Sequence, residues 1–249
     1  MLRFYAILIM VMVTSVSATP ATDSLFLQGN QAYEDKDYES AIDKYLAALS
    51  HGVESAPLYY NLGNAYFKAG DLGRAVLSYH RARRLAPDDE DLVHNLEFAR
   101  QFPSVQMEGV KLNPINSFME SLVASYRLDT LAWAMSAIFI LFCLLLMVRF
   151  GLGYNNPLQR VSTVVVLVIL LGISGLTTFK YRTDYLTRWA VVVADESLVL
   201  SGPTDGADLE FRGAPGLIVE IMAETGDYYN VLFENKRRGW MKKSLLAEI

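Results

Sequence analysis

Residues 29–48, GNQAYEDKDYESAIDKYLAA, and residues 63–82, GNAYFKAGDLGRAVLSYHRA, align without a gap. Gly29 and Gly63, Asn30 and Asn64, Ala41 and Ala75, Tyr45 and Tyr79, and Ala48 and Ala82 each stand 34 positions apart. Five coincident pairs at one offset mark an internal repeat, with small residues where two helices cross and aromatics filling the gaps between them. Apolar positions at helical spacing over 24–35 and 57–69 predict the first helix of each copy. Lys36 and Asp37, and then Ala69, Gly70 and Asp71, break the chain, and the second helices follow over 38–50 and 72–85.

Two stacked hairpins leave a hydrophobic end, because each covers only its neighbour. A closing helix is expected over 90–101, with Asp88 and Asp89 available as N-caps and Leu92, Val93, Leu96 and Ala99 forming its apolar face before Pro103. The helical unit then spans 22–101, with repeats at 22–55 and 56–89. The first helices should line a concave groove presenting Phe26, Asn30 and Tyr33 from one repeat and Tyr60, Asn64, Phe67 and Lys68 from the next. Aromatics supply contact area and Asn amides pair with an extended backbone, which suits a bound peptide. Tyr33 and Phe67 also fit packing inside a repeat, and the sequence leaves both uses open.

The period, together with YNLGNAY at 60–66 and LAPD at 85–88, resembles the tetratricopeptide repeat. That resemblance implies an all-α solenoid that binds other proteins. Some such proteins clamp a C-terminal carboxylate with groove cations and Asn residues. Asn30 and Asn61 match that arrangement, but Phe26, Asp91 and Asn95 stand where its cations should be.

Three hydrophobic runs set the expected topology. Residues 1–18 read as a signal peptide, with Arg3, an apolar stretch from Phe4 to Val13, and Val16 and Ala18 at cleavage-site spacing. Thr130–Val148 and Val161–Phe179 each hold 19 residues without a charge. At about 1.5 Å per residue each is long enough for a hydrocarbon core of ~30 Å. The turn 149–160, with Asn155, Asn156 and Pro157, makes the pair a hairpin, and Gly172 and Gly175 are expected to let the helices approach closely. The export signal places the repeats and the C-terminal part on the periplasmic side of an inner membrane and the loop 149–160 in the cytoplasm. In the linker 102–129, Phe118, Met119, Leu122, Val123 and Tyr126 have the spacing of a helix lying on the bilayer surface.

After Arg188 the pattern changes to short β-rich runs at 189–193, 196–200, 217–223, 228–233 and 239–241, separated by Gly, Pro, Asp and Asn turns. Five strands within 189–249 suggest a small barrel. The order VLSGP at 199–203, GLIVEI at 216–221, Gly226-Asp227, Tyr228-Tyr229 and Gly239-Trp240 resembles bacterial SH3 domains. That resemblance implies binding of peptides or cell-wall material through Tyr228, Tyr229 and Trp240. Barrel-core packing is the other reading of Trp240.

Lys plus Arg number 8 against 13 Asp plus Glu over 19–101, and 6 against 10 over 189–249. Both regions are acidic, which argues against a nucleic-acid partner. His51, His80 and His94 show no metal-ligand register, the single cysteine Cys143 lies in an apolar run, and no catalytic constellation or cofactor motif is present. The expected fold class is therefore a multidomain chain with a helical solenoid, a two-helix transmembrane hairpin and a small all-β SH3-like barrel, acting as a scaffold rather than an enzyme.

This domain order resembles the BatE proteins of the Bacteroides aerotolerance (Bat) group. The resemblance implies an envelope assembly with von Willebrand factor A-type membrane proteins, linked to tolerance of oxygen or envelope stress. A cell-wall tether acting on peptidoglycan through the SH3-like part is the alternative reading.

Overall fold

The computed structural model of the chain describes residues 20–102, 122, 123, 126–153 and 156–249. The expected signal peptide at 1–18, the residues Phe118 and Met119 of the linker, and Asn155 of the turn lie outside them.

Five helices come first, α1 (Pro20–Glu34), α2 (Tyr38–Ser50), α3 (Ala56–Ala69), α4 (Leu72–Leu85) and α5 (Glu90–Arg100). Side chains accept from the backbone N–H three residues on at Asp37, Ser55, Asp71 and Asp89, over 2.9–3.3 Å, and so fix four of the helix starts. Asp37 and Asp71 are 34 apart, as are Ser55 and Asp89, so the caps follow the same period as the core. Gly70 ends α3 in the left-handed conformation at φ 90°, and Lys36 takes the equivalent step at φ 62° without the help of a glycine. The Gly–Tyr spacing of the repeat has a direct cause. A Cβ on Gly29 would come within 2.5 Å of the Tyr45 ring, and one on Gly63 within 2.7 Å of Tyr79. Both rings are fully buried.

The closing helix α5 is the first helix of a third copy. Leu58 and Leu92, Asn61 and Asn95, Leu62 and Leu96, and Ala65 and Ala99 again stand 34 apart. Leu92, Leu96 and Ala99 are buried, while Val93 is half-buried. A half-repeat thus covers the apolar flank that α3 and α4 would otherwise leave open.

His80, on α4, is buried with only 6% of its surface exposed. Its Nδ1 accepts from Arg83 at 3.3 Å, and its Nε2 has no hydrogen-bond partner among the described residues. Burial, with Arg83 and Arg100 nearby, holds its pKa well below the ordinary 6.5. The unfolded chain therefore takes up a proton first. Stability should be complete above pH ~6.5 and fall as pH drops below it, by about 1.4 kcal/mol per pH unit until the folded form also protonates. Urea unfolding between pH 7 and pH ~5.5 should show that slope, and His80→Phe should flatten it; an unchanged slope would remove His80 as its source.

Two long helices follow, α6 (Leu128–Gly151) and α7 (Pro157–Tyr181), and they pack against each other as a hairpin. Asn156 caps α7 by accepting from the Gln159 N–H at 2.7 Å, with Pro157 in the first turn. Both helices are long and apolar enough to cross a membrane, with mean hydropathy 2.7 and 2.3 in their most apolar windows. Only 6% of each window is buried, which distinguishes them from core helices of a soluble domain. Both run past the expected 19-residue spans into flanking charged residues, since nothing interrupts the backbone hydrogen bonds there. The expected role of Gly172 and Gly175 in the hairpin is corrected, because an added Cβ at either would meet no atom within 4 Å. The contact runs instead through the Gln159–Thr163 side of α7. Gln159 Nε2 donates to the Leu145 carbonyl at 2.9 Å, and the Thr163 hydroxyl donates to the Gln159 carbonyl at 2.8 Å. Cys143 is exposed on α6.

A π-helical turn (Arg182–Leu186) joins α7 to the sheet with almost no linker, and the Trp189 indole donates back to the Thr183 carbonyl at 3.1 Å. The sheet is antiparallel with seven strands, β1 (Trp189–Val192), β2 (Ser197–Leu200), β3 (Leu209–Gly213), β4 (Ile218–Thr225), β5 (Tyr228–Phe233), β6 (Arg238–Lys242) and β7 (Leu246–Glu248). Their order is β3-β2-β6-β5-β4-β1-β7. The five runs read in the sequence are all strands, and β3 and β7 are additional. Both are edges; β3 does alternate, Leu209-Glu210-Phe211-Arg212, but ends at Gly213 after one short run, and β7 is only 3 residues long. Val199 from β2 and Leu246 from β7 share one core with Val192, Val219, Val231 and Phe233, so the strand order brings its distant members over the same apolar centre.

Strand β1 explains a peculiarity of the sequence. Ala190, Val191 and Val192 have no polar alternation because all three are fully buried. Ala190 and Val192 face the sheet core, whereas Val191 joins Leu77, Val76 and Tyr79 of the repeat stack. Gly73 of α4 makes the approach possible, since a Cβ there would lie 2.8 Å from the Val192 carbonyl oxygen and from the Val193 Cα. Arg81 donates to the Glu248 carbonyl and Arg84 to that of Ile249, each at 2.7 Å, and Arg100 pairs with Glu234 at 2.6 Å. On either side of β7, Leu245 accepts from the Val193 N–H and the Ile249 N–H donates to the Trp189 carbonyl, so the Glu248 carbonyl turns outward, where Arg81 covers it. At the opposite edge, Arg237 donates to the Glu210 carbonyl at 3.4 Å and lies 3.7 Å above the Phe211 ring. Arginines therefore occupy exposed backbone at both edges, where unpaired strands invite aggregation.

Candidate functional site

The sheet takes the face of α4 bearing Gly73, Leu77, Arg81 and Arg84, which leaves the stripes of α1, α3 and α5 uncovered by it. On these stripes the predicted residues Phe26, Asn30, Tyr33, Tyr60, Asn64 and Phe67 are half-buried, and Lys68 is exposed. The packing anticipated for the aromatics is present, and it leaves part of each ring exposed. Phe26 packs on Tyr45 with ring centres 6.0 Å apart, Tyr33 on Tyr38 at 5.5 Å, and Tyr60 on Tyr79 at 6.2 Å, each keeping part of its surface open.

Asn30 and Asn64 are first of all structural. The Asn30 Oδ1 accepts from the Tyr45 hydroxyl at 2.8 Å and from Asn61 Nδ2 at 2.9 Å. One repeat later, the Asn64 Oδ1 accepts from the Tyr79 hydroxyl at 2.7 Å and from Asn95 Nδ2 at 3.2 Å. Asn95 also donates to the Tyr60 hydroxyl at 2.8 Å. Each rung thus ties the two helices of one repeat to the first helix of the next. Burial pushes the Tyr45 phenol up to about 12 and raises Tyr79 as well, so both remain O–H donors at neutral pH. The sequence holds the signal for Asn61 and Asn95, which share the 34-residue offset, but the offset alone does not show that they bridge neighbouring repeats. Asn64→Ala should cost about 1–3 kcal/mol in thermal or urea unfolding, because it strands the buried Tyr79 hydroxyl and leaves the Asn95 amide only its bond to Tyr60. A cost near zero would mean that water replaces both bonds.

At 34 positions beyond Asn64 stands Phe98, with 47% of its surface exposed. It forms a triangle with Phe67 and Phe102, with ring centres 5.4–5.7 Å apart. Of the cations a carboxylate clamp needs, these stripes carry Lys68 alone among the described residues; Arg81, Arg84 and Arg100 serve the sheet instead.

In the sheet, Gly239 and Met241 of β6 face the core, so Trp240 between them lies half-buried on the opposite side, beside Leu200 and Asn230. The core reading of Trp240 is thereby corrected, with Met241 in the place expected for it. Tyr229 faces inward against the core, and its hydroxyl donates to Glu248 at 2.9 Å. Tyr228, predicted at the surface, lies on the other side of β5 but is buried at 7% exposure, because its hydroxyl is drawn onto Asp205, to which it donates at 2.6 Å and which also pairs with Lys242 at 2.6 Å. A shallow cleft of about 430 Å³ lies there, lined by Asp205, Asp227, Tyr228, Lys242, Lys243 and Ser244. The three aromatics predicted to share a binding surface are therefore divided between two faces. Among the described residues no group of His, Cys, Asp and Glu is placed to hold a metal ion.

Residues 56–89 match the tetratricopeptide repeat family. The matched segment is the second copy, from the start of α3 through Asp89. Among characterised proteins, mouse (Mus musculus) sperm-associated antigen 1 is 28% identical over 104 residues, covering 41% of this chain and 12% of that protein. Among solved structures, yeast Tom70 is similar over 65% of this chain and 26% of its own, at 21% identity and a TM-score of 0.31. The chain thus spans about an eighth and about a quarter of the lengths of these two proteins. Repeats of this type suggest a scaffold for protein–protein interaction.

Proposed function

We propose that this chain is a membrane-anchored scaffold that grips a partner protein on the first-helix face of its repeats. One observation carries the reading. The sheet and its arginines occupy the second-helix face of the stack, while the aromatic and amide stripes of α1, α3 and α5 are left open. Helices α6 and α7 anchor the scaffold as a two-span hairpin, with the exposed, stacked rings of Tyr181 and Tyr185 at one interface. With the export signal expected at 1–18, the repeats and the sheet face the periplasm and the loop 149–160 the cytoplasm. The sheet, open between its edges β3 and β7 and so not the closed barrel expected, serves as a small SH3-like module, a reading supported by the core shared between β2 and β7. The resemblance to BatE proteins makes von Willebrand factor A-type membrane proteins the expected partners and an envelope complex supporting oxygen tolerance the expected setting.

The test is cross-linking in native membranes, purification in mild detergent and identification of attached chains by mass spectrometry. The comparison chain carries Lys68→Glu with Phe98→Ser, both at exposed positions that leave the rungs intact. Membrane proteins recovered with the natural chain and lost with the variant support the scaffold. Equal recovery from both would reject this face as the grip. The cleft beside Tyr228 and the outward Trp240 favour a second reading, a peptidoglycan tether. Retention of the purified full chain on isolated cell wall, lost with Trp240→Ala, would support it.

A further inference from the structure

We infer that the open face of the repeat stack takes an extended, cationic segment of a partner protein by its main chain, with a bulky apolar side chain seated on Phe98. The inference rests on the proposed scaffold reading and names the chemistry of the segment that the face would hold.

Because two donors converge on the Oδ1 of Asn30 and of Asn64, each Nδ2 is left with no acceptor among the described residues. Asn61 and Asn95 spend their Nδ2 on these bonds, so each keeps a free Oδ1. Every rung consequently offers one fixed donor and one fixed acceptor, the complement of one peptide unit. Packed helices lie about 8–10 Å apart, which is roughly three residues of extended chain at ~3.3 Å each. Two rungs therefore address two peptide units three residues apart. A helical ligand would have those groups already bonded within itself.

Phe98 occupies the position of a third Asn, and its rings with Phe67 and Phe102 replace a polar rung by an apolar shelf. A segment in register with the rungs would place its next side chain there.

On the same helical stripes, Asp23, Glu34 and Asp91 face one cation, Lys68, and all four are exposed. Among the described residues none of the four makes an ion pair. Asp23 and Asp91 hold equivalent positions at the start of α1 and α5, two repeat lengths apart. The cations that could have balanced them are spent elsewhere, Arg81, Arg84 and Arg100 on the sheet and Arg74 on Asp71. A basic segment complements that field and an acidic one is repelled by it.

The test uses the full chain in nanodiscs of neutral lipid and fluorescence anisotropy with three labelled peptides of equal length. One contains lysines and a phenylalanine, the second replaces the lysines by glutamates, and the third is the first with alternate backbone nitrogens methylated. Binding of the cationic peptide at least about tenfold tighter than of the other two is expected. Asp23→Lys with Asp91→Lys, both at exposed positions, should reverse the preference between the lysine and glutamate peptides, and Phe98→Ser should weaken the cationic peptide alone. Equal binding of the acidic or the methylated peptide would overturn the inference while leaving the scaffold reading intact. Absence of binding by all three, with the rungs shown intact by an unchanged unfolding midpoint, would overturn the inference, and the partner-capture experiment would then decide the scaffold reading separately.

Discussion

Gly73→Leu is expected to detach the sheet from the repeat stack. Even the first carbon of the new side chain would lie 2.8 Å from the Val192 carbonyl and the Val193 Cα, and both are backbone atoms that no rotamer change can move aside. Overpacking of that kind costs about 1–3 kcal/mol by itself. Opening the interface further exposes Leu77 and Val191, now 7% and 0% exposed, at about 1.5–3 kcal/mol each. The Arg81 and Arg84 bonds to the β7 edge are lost with them. Thermal unfolding followed by far-UV and near-UV circular dichroism should then resolve a helical and a sheet transition where the natural chain shows one for its soluble part. Gly73→Ala should lie between the two. A single unshifted transition in the leucine variant would mean that α4 slides along β1 to make room, and that the docking is not rigid.

Gly63→Val should unfold the centre of the stack. Its Cβ alone would fall 2.7 Å from the ring of Tyr79, which is 2% exposed and fixed at its hydroxyl by Asn64. Neither the ring nor the helix can yield without breaking the rung, so a loss of about 3–5 kcal/mol is expected. Gly29→Val meets the same obstacle in Tyr45 but lies in the first described repeat, which among the described residues packs on one neighbouring repeat instead of two. In a stack stabilised by nearest-neighbour contacts it should cost less and fray α1 and α2 without melting α4. Hydrogen exchange on the two variants distinguishes local from shared loss. If both variants expose α4 equally, the stack is a single cooperative unit, and its docking to the sheet is the reason to suspect.

The two substitutions separate what was legible from what was not. Gly29, Gly63, Tyr45 and Tyr79 were found by their offset, and the structure supplies its cause as a glycine lying against the ring 16 positions later. The same offset reached Asn61 and Asn95, yet their use as rungs required seeing which oxygen receives two donors. Gly73 carried no offset partner, since position 39 is Glu39, and nothing in its neighbourhood announced a second surface. The triple valine beside Ala190 did announce one. A strand without alternation is buried on both faces, but the sequence does not say against what. For Gly172 and Gly175 composition suggested close helix packing, while the rotation of α7 about its axis turned them away.

By itself the sequence determined the elements, because helical repeats, apolar spans and most strands are written in local periodicity, and local periodicity is set by which side of an element must avoid water. It determined the closing half-repeat for the same reason, as the exposed flank of α4 demanded an apolar cover. Only the tertiary structure decided that the sheet docks on α4, that arginines guard its edges, that Trp240 lies off the sheet core, and that the Oδ1 atoms of Asn30 and Asn64 each receive two donors. Those outcomes depend on contacts between residues more than a hundred positions apart, such as Arg81 with Glu248 and Arg100 with Glu234. Such pairs leave no period in the chain, since each is satisfied once, by position in space.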